Sequence, residues 1–230
     1  MKASHLFALG VVSVLLLGPL AVSAQYGTFL PPGAGPYVRF NLGVTFPEDG
    51  HLTASGPLAT RSTVQYDTGF AMDVAAGYAF NPWVAAELEV GWRWNEISHV
   101  NGFVLDDTVF SQVPFLVNVG LRYPLPGTPV VPYIGGGVGG AVTIFDTDGF
   151  SNRAVTVVGS ATDVVFAYQV FAGLRVAINP WLSVGVDYKY FASGDASYQF
   201  ESLVCCGPPL HLKFDGVAMH MVMGNFILKY

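Results

Sequence analysis

Charged side chains at alternate positions inside apolar segments are the main chemical signal of this sequence. Residues two apart point to the same side of an extended chain, as do Glu87 and Glu89, or Asp187 and Lys189. Acids and bases gathered on one face could neutralise each other as ion pairs or could line a narrow path for ions. The candidate residues are Arg39, Asp73, Glu87, Glu89, Arg93, Arg122, Arg175, Asp187 and Lys189.

Patterns for catalysis, metal binding or redox chemistry are weak. His220 has no serine within two residues, which argues against a hydrolase that uses a neighbouring Ser and His on one strand. The segment 146–149 starts like a calcium loop but lacks the later ligands and the closing Glu. Cys205 and Cys206 are adjacent and have no metal-binding spacing. The sequence therefore predicts no catalytic residue, no metal ligand and no cofactor.

The composition is too apolar for an ordinary soluble protein. Apolar residues make up 52% of the 230 residues and charged residues only 11%, against about 25% charged in a typical soluble domain. No run of 18 apolar residues follows residue 24, so no membrane-spanning helix is predicted there. The net charge of -6 argues against nucleic acid as a partner.

Alternation with a period of two runs through the rest of the chain and predicts eight β-strands. Each is 11 to 15 residues long, enough to cross a membrane at a tilt, which takes about 9–11 residues. A charge on the lipid-facing side would cost about 2–4 kcal/mol at mid-depth, so the polar face must point inward. The predicted strands are Pro36–Phe46, Thr68–Phe80, Trp83–Asn95, Phe110–Tyr123, Val131–Phe145, Val164–Ile178, Trp181–Phe191 and Val217–Tyr230.

The connections between the strands alternate between short and long. Two of the short ones share the sequence Asn-Pro-Trp, at 81–83 and 179–181, which indicates a weak duplication of two four-strand halves. Short turns on one rim and long loops on the other are typical of outer membrane barrels, with the long loops outside the cell. A two-sheet sandwich or a soluble ligand-binding barrel stays open, although either would need polar outward faces. The predicted long loops are Pro47–Asp67, Glu96–Val109, Asp146–Asp163 and Ala192–Gly216.

The first 24 residues have the features of a cleaved signal peptide. Lys2 supplies the positive start, Leu6–Leu17 is apolar, and Val22-Ser23-Ala24 is a small-residue cleavage site. No cysteine lies near the cut, so lipoprotein attachment is excluded. The predicted organisation is a signal peptide at 1–24, a short leader at 25–35 and one barrel at 36–230.

The signal peptide, the alternating strands, the two Asn-Pro-Trp turns and the final strand that ends on an aromatic resemble one known family. The family is the small outer membrane β-barrels of the opacity and adhesin type. The resemblance implies an all-β, eight-stranded antiparallel up-and-down transmembrane β-barrel without shared catalytic residues. It also implies that the barrel-assembly machinery reads the last strand, at Phe226, Leu228 and Tyr230.

The function expected from this pattern is a structural or surface-interaction role in the outer membrane, through the extracellular loops. The partners would be outer membrane lipids, the assembly machinery and an extracellular ligand. An eight-stranded barrel encloses room only for side chains or one small ligand, so the inward charges predict either a salt-bridged plug or a narrow pore. A passive channel is the first alternative and a lipid-modifying enzyme the second, although no enzyme is predicted.

Overall fold

The computed structural model describes residues 33–55, 60–100, 104–151, 156–200 and 210–230. These residues form twelve β-strands, and among them no helix is long and apolar enough to cross a membrane. The strands are β1 (Gly35–Pro47), β2 (Gly50–Ser55), β3 (Thr60–Tyr66), β4 (Gly69–Ala79), β5 (Val84–Val100), β6 (Val104–Arg122), β7 (Val130–Ser151), β8 (Thr156–Ala177), β9 (Leu182–Ser193), β10 (Ala196–Phe200), β11 (Leu210–Phe214) and β12 (Ala218–Lys229).

Eight of the strands close into an antiparallel barrel, as predicted. The ring runs β1-β4-β5-β6-β7-β8-β9-β12, and β12 returns to β1 with Tyr37 opposite Lys229 and Pro47 opposite Met219. Every barrel strand is therefore hydrogen-bonded on both edges, which removes the exposed edges that would otherwise invite aggregation. Closure also excludes the sandwich.

The alternation places the apolar side chains outside and the polar ones inside, on the faces that the sequence predicts. On β1, Leu42 is 54% exposed whereas Arg39 is 1% exposed. Val164 on β8 and Trp83 beside β5 are also exposed, at 73% and 59%. A continuous apolar exterior of this kind suits a hydrocarbon surrounding and excludes the soluble barrel.

The two Asn-Pro-Trp segments form equivalent turns at the short-turn rim. The Asn81 side-chain oxygen accepts hydrogen bonds from the backbone N–H groups of Trp83 and Val84, each at 2.8 Å. The Asn179 side chain does the same for Trp181 and Leu182, at 3.0 and 2.7 Å. The repeated motif thus reflects a repeated turn in which Asn replaces missing backbone partners.

The connections at the opposite rim are long, as predicted, but much of this chain is also β-structure. β7 and β8 are 22 residues long each, about twice what a tilted crossing requires. Two hairpins, β2–β3 and β10–β11, lie beside them: β11 pairs with β2, and β3 pairs with the upper end of β5. We call this second sheet, in the order β10-β11-β2-β3-β5, the extracellular sheet.

Several predicted features lie outside the described residues. They are the signal peptide and its cleavage site, the leader up to residue 32, and both cysteines.

Candidate functional site in the barrel interior

The interior of the barrel contains two layers of different chemistry. The half next to the short turns is charged and polar, and the half next to the extracellular sheet is apolar and aromatic. Glycines on the inward face make room for the polar layer. A Cβ on Gly91 would collide with the Asp73 carboxylate, and one on Gly137 would collide with the Asn118 amide. These glycines allow side chains from the neighbouring strands to fill the lumen.

Lys189 and Arg39 form the centre of the polar layer. The Lys189 ammonium lies 2.8 Å from Asp73 Oδ2 and 3.0 Å from Glu89 Oε2. The Arg39 guanidinium lies 2.6 Å from Glu87 Oε2 and 3.1 Å from Glu89 Oε2. Glu89 of β5 therefore joins the two cations, which come from β1 and β9, the two strands that flank β12. All five side chains are at most 7% exposed.

The other two charges complete the layer at longer distances. Asp187 Oδ2 lies 3.6 Å from Arg39 Nη1. Arg93 Nη1 lies 3.5 Å from Asp73 Oδ1, and its guanidinium stacks over the Phe191 ring at 4.3 Å from the ring centre. We call these seven residues the central network: Arg39, Asp73, Glu87, Glu89, Arg93, Asp187 and Lys189.

Neutral polar side chains satisfy part of the remaining hydrogen-bonding capacity of the central network, whereas the three Arg93 nitrogens have no hydrogen-bond partner among the described residues. The Gln169 amide donates to Glu89 Oε1 and to Asn118 Oδ1, both at 2.9 Å. The Asn225 amide donates to Asp187 Oδ1 at 2.9 Å, and the Tyr37 hydroxyl donates to Glu87 Oε1 at 2.7 Å. Sequence reasoning did not single out these four residues as site residues. Their position on the inward register of the strands was the signal that could have found them.

Two of the predicted interior charges lie apart from the central network. Arg122 and Arg175 stand at the short-turn end of β6 and β8, and neither forms an ion pair with a described residue. Arg175 stacks over Tyr133 at 5.0 Å, and Arg122 donates to the backbone oxygens of Asn81 and Val84. Both side chains line the short-turn end of the interior, and these two cations are separate from the seven charges above them.

The upper interior is an aromatic cluster under the extracellular sheet. Phe214 of β11 lies 5.2 Å from Phe145, 5.6 Å from Tyr198 and 6.5 Å from Phe110, measured between ring centres. All four side chains are at most 2% exposed. Burial raises the pKa of Tyr198 to about 12. This cluster packs the extracellular sheet onto the barrel.

His220 lies on the outer face, as its register predicts. Its Nδ1 is 2.5 Å from the Tyr188 hydroxyl and its Nε2 is 3.1 Å from Glu48 Oε1. Both ring nitrogens therefore have partners, and neither partner is a serine or a cysteine. Among the described residues, no cluster of three or more His, Cys, Asp or Glu side chains could hold a metal ion.

The arrangement inside the barrel fills the lumen with side chains. The three cations and four carboxylates of the central network pair at close range, and the buried aromatic cluster lies above them. Buried pairs of this kind cost desolvation energy, and they require several mutually placed partners. The two layers together form a polar plug with an apolar lid.

Residues 12–204 match a family model described as an outer membrane protein beta-barrel domain. Among solved structures, the chain is similar to the outer membrane protein OprG of Pseudomonas aeruginosa, with 15% identity and a TM-score of 0.61, covering 86% of this chain and 97% of that one. It is also similar to the outer membrane protein AlkL, with 16% identity and a TM-score of 0.51, over 90% and 95% of the two chains.

The outer membrane protease OmpT of Escherichia coli is similar too, with 8% identity and a TM-score of 0.51, over 90% of this chain and 99% of that one. At such identities the likeness concerns the fold alone, and one fold supports several activities. No curated protein sequence matches the chain.

Proposed function

Since this chain belongs to the outer membrane protein β-barrel family, we propose that it is a plugged barrel that presents a folded binding surface outside the cell. It is an integral outer membrane protein, as the sequence predicts. The proposal concerns its specific role, which is surface interaction through the extracellular sheet. The observation that carries it is the pairing of β2–β3 with β10–β11 above the membrane.

The extracellular sheet supports this role because its outward face is polar and its inward face is anchored. Leu52 and Val64 point inward and are at most 1% exposed, whereas His51, Gln65 and Lys213 are exposed. Lys213 of β11 is paired at 2.8 Å with Asp195, which lies in the turn between β9 and β10. The hydrogen bond from Lys213 lowers the pKa of the Asp195 carboxyl. A preformed surface loses less conformational entropy on binding than a flexible loop does.

The test is binding to intact cells that carry the barrel. Replacing β2–β3, residues 50–66, by a short turn removes two of the five strands of the extracellular sheet and leaves the eight barrel strands in place. We expect cells with the full chain to bind components of a glycan and matrix-protein array, and cells with the shortened chain to lose that binding. Equal folding of the two proteins is checked by the heat-dependent shift in electrophoretic mobility. Equal binding by both cell types would contradict the proposal.

A lipid-modifying hydrolase is the enzymatic alternative. His220 with Glu48 provides an acid–histidine pair at the outer surface, but the third contact is a tyrosine, which is a weak nucleophile at neutral pH. Release of acyl chains from outer membrane lipid by the purified chain, lost in His220→Gln, would favour this alternative instead.

A further inference from the structure

A cavity lies at the short-turn end of the barrel, which is its periplasmic mouth. Its volume is about 310 Å³. Its polar lining includes Arg122 of β6, Arg175 of β8, Ser183 of β9 and Lys229 of β12, together with Tyr37 of β1 and Tyr230. Prolines of the three short turns form much of the rest of the wall, namely Pro82, Pro124 and Pro180.

Three cations meet in this cavity without a carboxylate partner. Among the described residues, Arg122, Arg175 and Lys229 have no carboxylate oxygen within 4.0 Å, the limit for an ion pair. The nearest acid along β5 is Glu87, and Arg39 and the Tyr37 hydroxyl already hold it at 2.6 and 2.7 Å. The central network has three cations and four carboxylates, so its one excess negative charge can offset only one of the three cations in the cavity.

Two donors that line the cavity are deeply buried and have no hydrogen-bond partner among the described residues. Arg175 is 4% exposed with an unpartnered Nε, and Ser183 is 0% exposed with an unpartnered Oγ. Arg122 also has an unpartnered Nε. Buried donors without acceptors are costly, and cations brought together in an apolar mouth repel each other. An anion with several oxygens would remove both costs at once.

Phosphate chemistry fits these donors best. A phosphate group carries up to two negative charges and accepts hydrogen bonds on several oxygens, and guanidinium groups bind it through paired N–H donors. The cavity volume is about ten times the volume that a single water occupies in the liquid, which is about 30 Å³. The cavity therefore has room for a phosphate group. We therefore propose that the periplasmic mouth is a binding site for a phosphate group, held by Arg122, Arg175, Lys229 and Ser183.

The phosphate could come from a free periplasmic anion or from a lipid headgroup of the inner leaflet. This site lies at the opposite end of the molecule from the extracellular sheet, so a test of phosphate binding is independent of the surface-binding role. The two sources share one chemistry and differ in whether acyl chains contribute to binding.

The test is titration calorimetry on the full chain, extracted from outer membranes into an uncharged, phosphate-free detergent. The two probes are inorganic phosphate and dihexanoyl phosphatidic acid, the second below its micelle concentration. We expect Arg175→Gln to raise the Kd by about tenfold or more, because a charge-assisted hydrogen bond is worth about 1.5–3 kcal/mol. Lys229→Gln serves as the second variant, because this side chain forms no ion pair with a described residue that its loss would break.

Lys213→Gln is the matched control, since it removes an equal charge on the extracellular side, and its Kd should stay unchanged. Binding of inorganic phosphate that weakens in both mouth variants supports a free anion as the ligand. Binding of phosphatidic acid alone, weakened in the same variants, supports a lipid headgroup. The proposal is overturned if neither probe binds, or if both mouth variants bind as tightly as the unmodified chain.

Discussion

At the scale of single residues, Lys189 decides the electrostatics of the lumen because it contacts two buried carboxylates at once. Its ammonium lies within 3.0 Å of both Asp73 and Glu89, and all three side chains are fully buried. A pair of this kind adds little when it is complete, because desolvation offsets the attraction. Its removal is costly, however, because the partners stay buried without a counter-charge.

We predict that Lys189→Met destabilises the barrel by about 3–5 kcal/mol, the usual cost of breaking a buried ion pair on one side. Thermal unfolding in detergent, followed by the heat-dependent mobility shift, measures it. Lys213→Met is the control, because its ion pair with Asp195 is about half exposed and such pairs contribute about 0–1 kcal/mol. Equal unfolding temperatures for the two variants would contradict a coupled central network.

The inward charges themselves were predictable from the sequence, but their partners were not. Alternation with a period of two assigns Arg93 and Arg175 to the same face, yet Arg93 lies beside Asp73 whereas Arg175 has no carboxylate within 4.0 Å among the described residues. The difference depends on the stagger between neighbouring strands, such as β4 and β5, where Asp73 stands opposite Gly91. Periodicity within one strand carries no information about that stagger.

At the scale of the elements, β11 shows how the extracellular sheet is attached. Phe214 is 1% exposed and contacts aromatic rings of β6, β7 and β10, while the preceding Lys213 faces solvent. An inward-facing residue and an outward-facing residue are thus neighbours on the same short strand. They allow the packing of the sheet to be tested separately from its surface.

We predict that Phe214→Ala loosens the extracellular sheet while the transmembrane barrel stays folded. Truncating a buried Phe costs about 3–5 kcal/mol, and the eight barrel strands keep their hydrogen-bonded pairing without this side chain, because Phe214 belongs to β11. Limited proteolysis of intact cells should therefore cut the 196–214 region faster, without loss of the heat-dependent mobility shift. Lys213→Ala should leave the cleavage rate unchanged. Identical cleavage of both variants would show that the aromatic cluster does not hold the sheet.

The last barrel strand carries an untested prediction about assembly. Phe226 and Tyr230 are each 56% exposed on the outer face, and β12 closes the ring against β1. We predict that Tyr230→Ala lowers the amount of folded barrel in the outer membrane several-fold while export continues, because the assembly machinery loses an aromatic that it reads. Val222→Ala, on the same face of β12, is the control. Immunoblots of membrane and periplasmic fractions measure both, and normal folded levels for Tyr230→Ala would refute this role.

The eight crossing strands were predictable and the four outer ones were not, for a physical reason. A membrane crossing imposes a long, regular alternation, which a single sequence displays. β2, β3, β10 and β11 are only 5 to 7 residues long, and they are stabilised by pairing with each other across more than 140 residues of chain, as His211 pairs with Ser55. Short strands of this kind have no local pattern strong enough to separate them from loops.

At the scale of the whole molecule, the chain must be exported before the barrel can fold in the outer membrane. We predict that the outer membrane form begins at Gln25, because the apolar stretch and the small-residue site of the leader end at Ala24. N-terminal sequencing of the membrane protein measures this. A chain that begins at Met1 would show that the segment stays attached as an anchor.

The two interior layers also determine whether the molecule can conduct. The central network fills the lower lumen with side chains at most 7% exposed, and the aromatic cluster lies above it. Ions would have to displace both, so we predict that the purified chain is silent in planar-bilayer recordings. Removing β2–β3 should leave it silent, because the central network stays intact.

A paired change, Arg39→Ala with Glu89→Ala, removes two large facing side chains of opposite charge and should produce small conductance steps. Lys213→Ala with Asp195→Ala is the matched exposed pair and should produce none. Steady conductance from the unmodified chain would favour the channel over the plugged barrel.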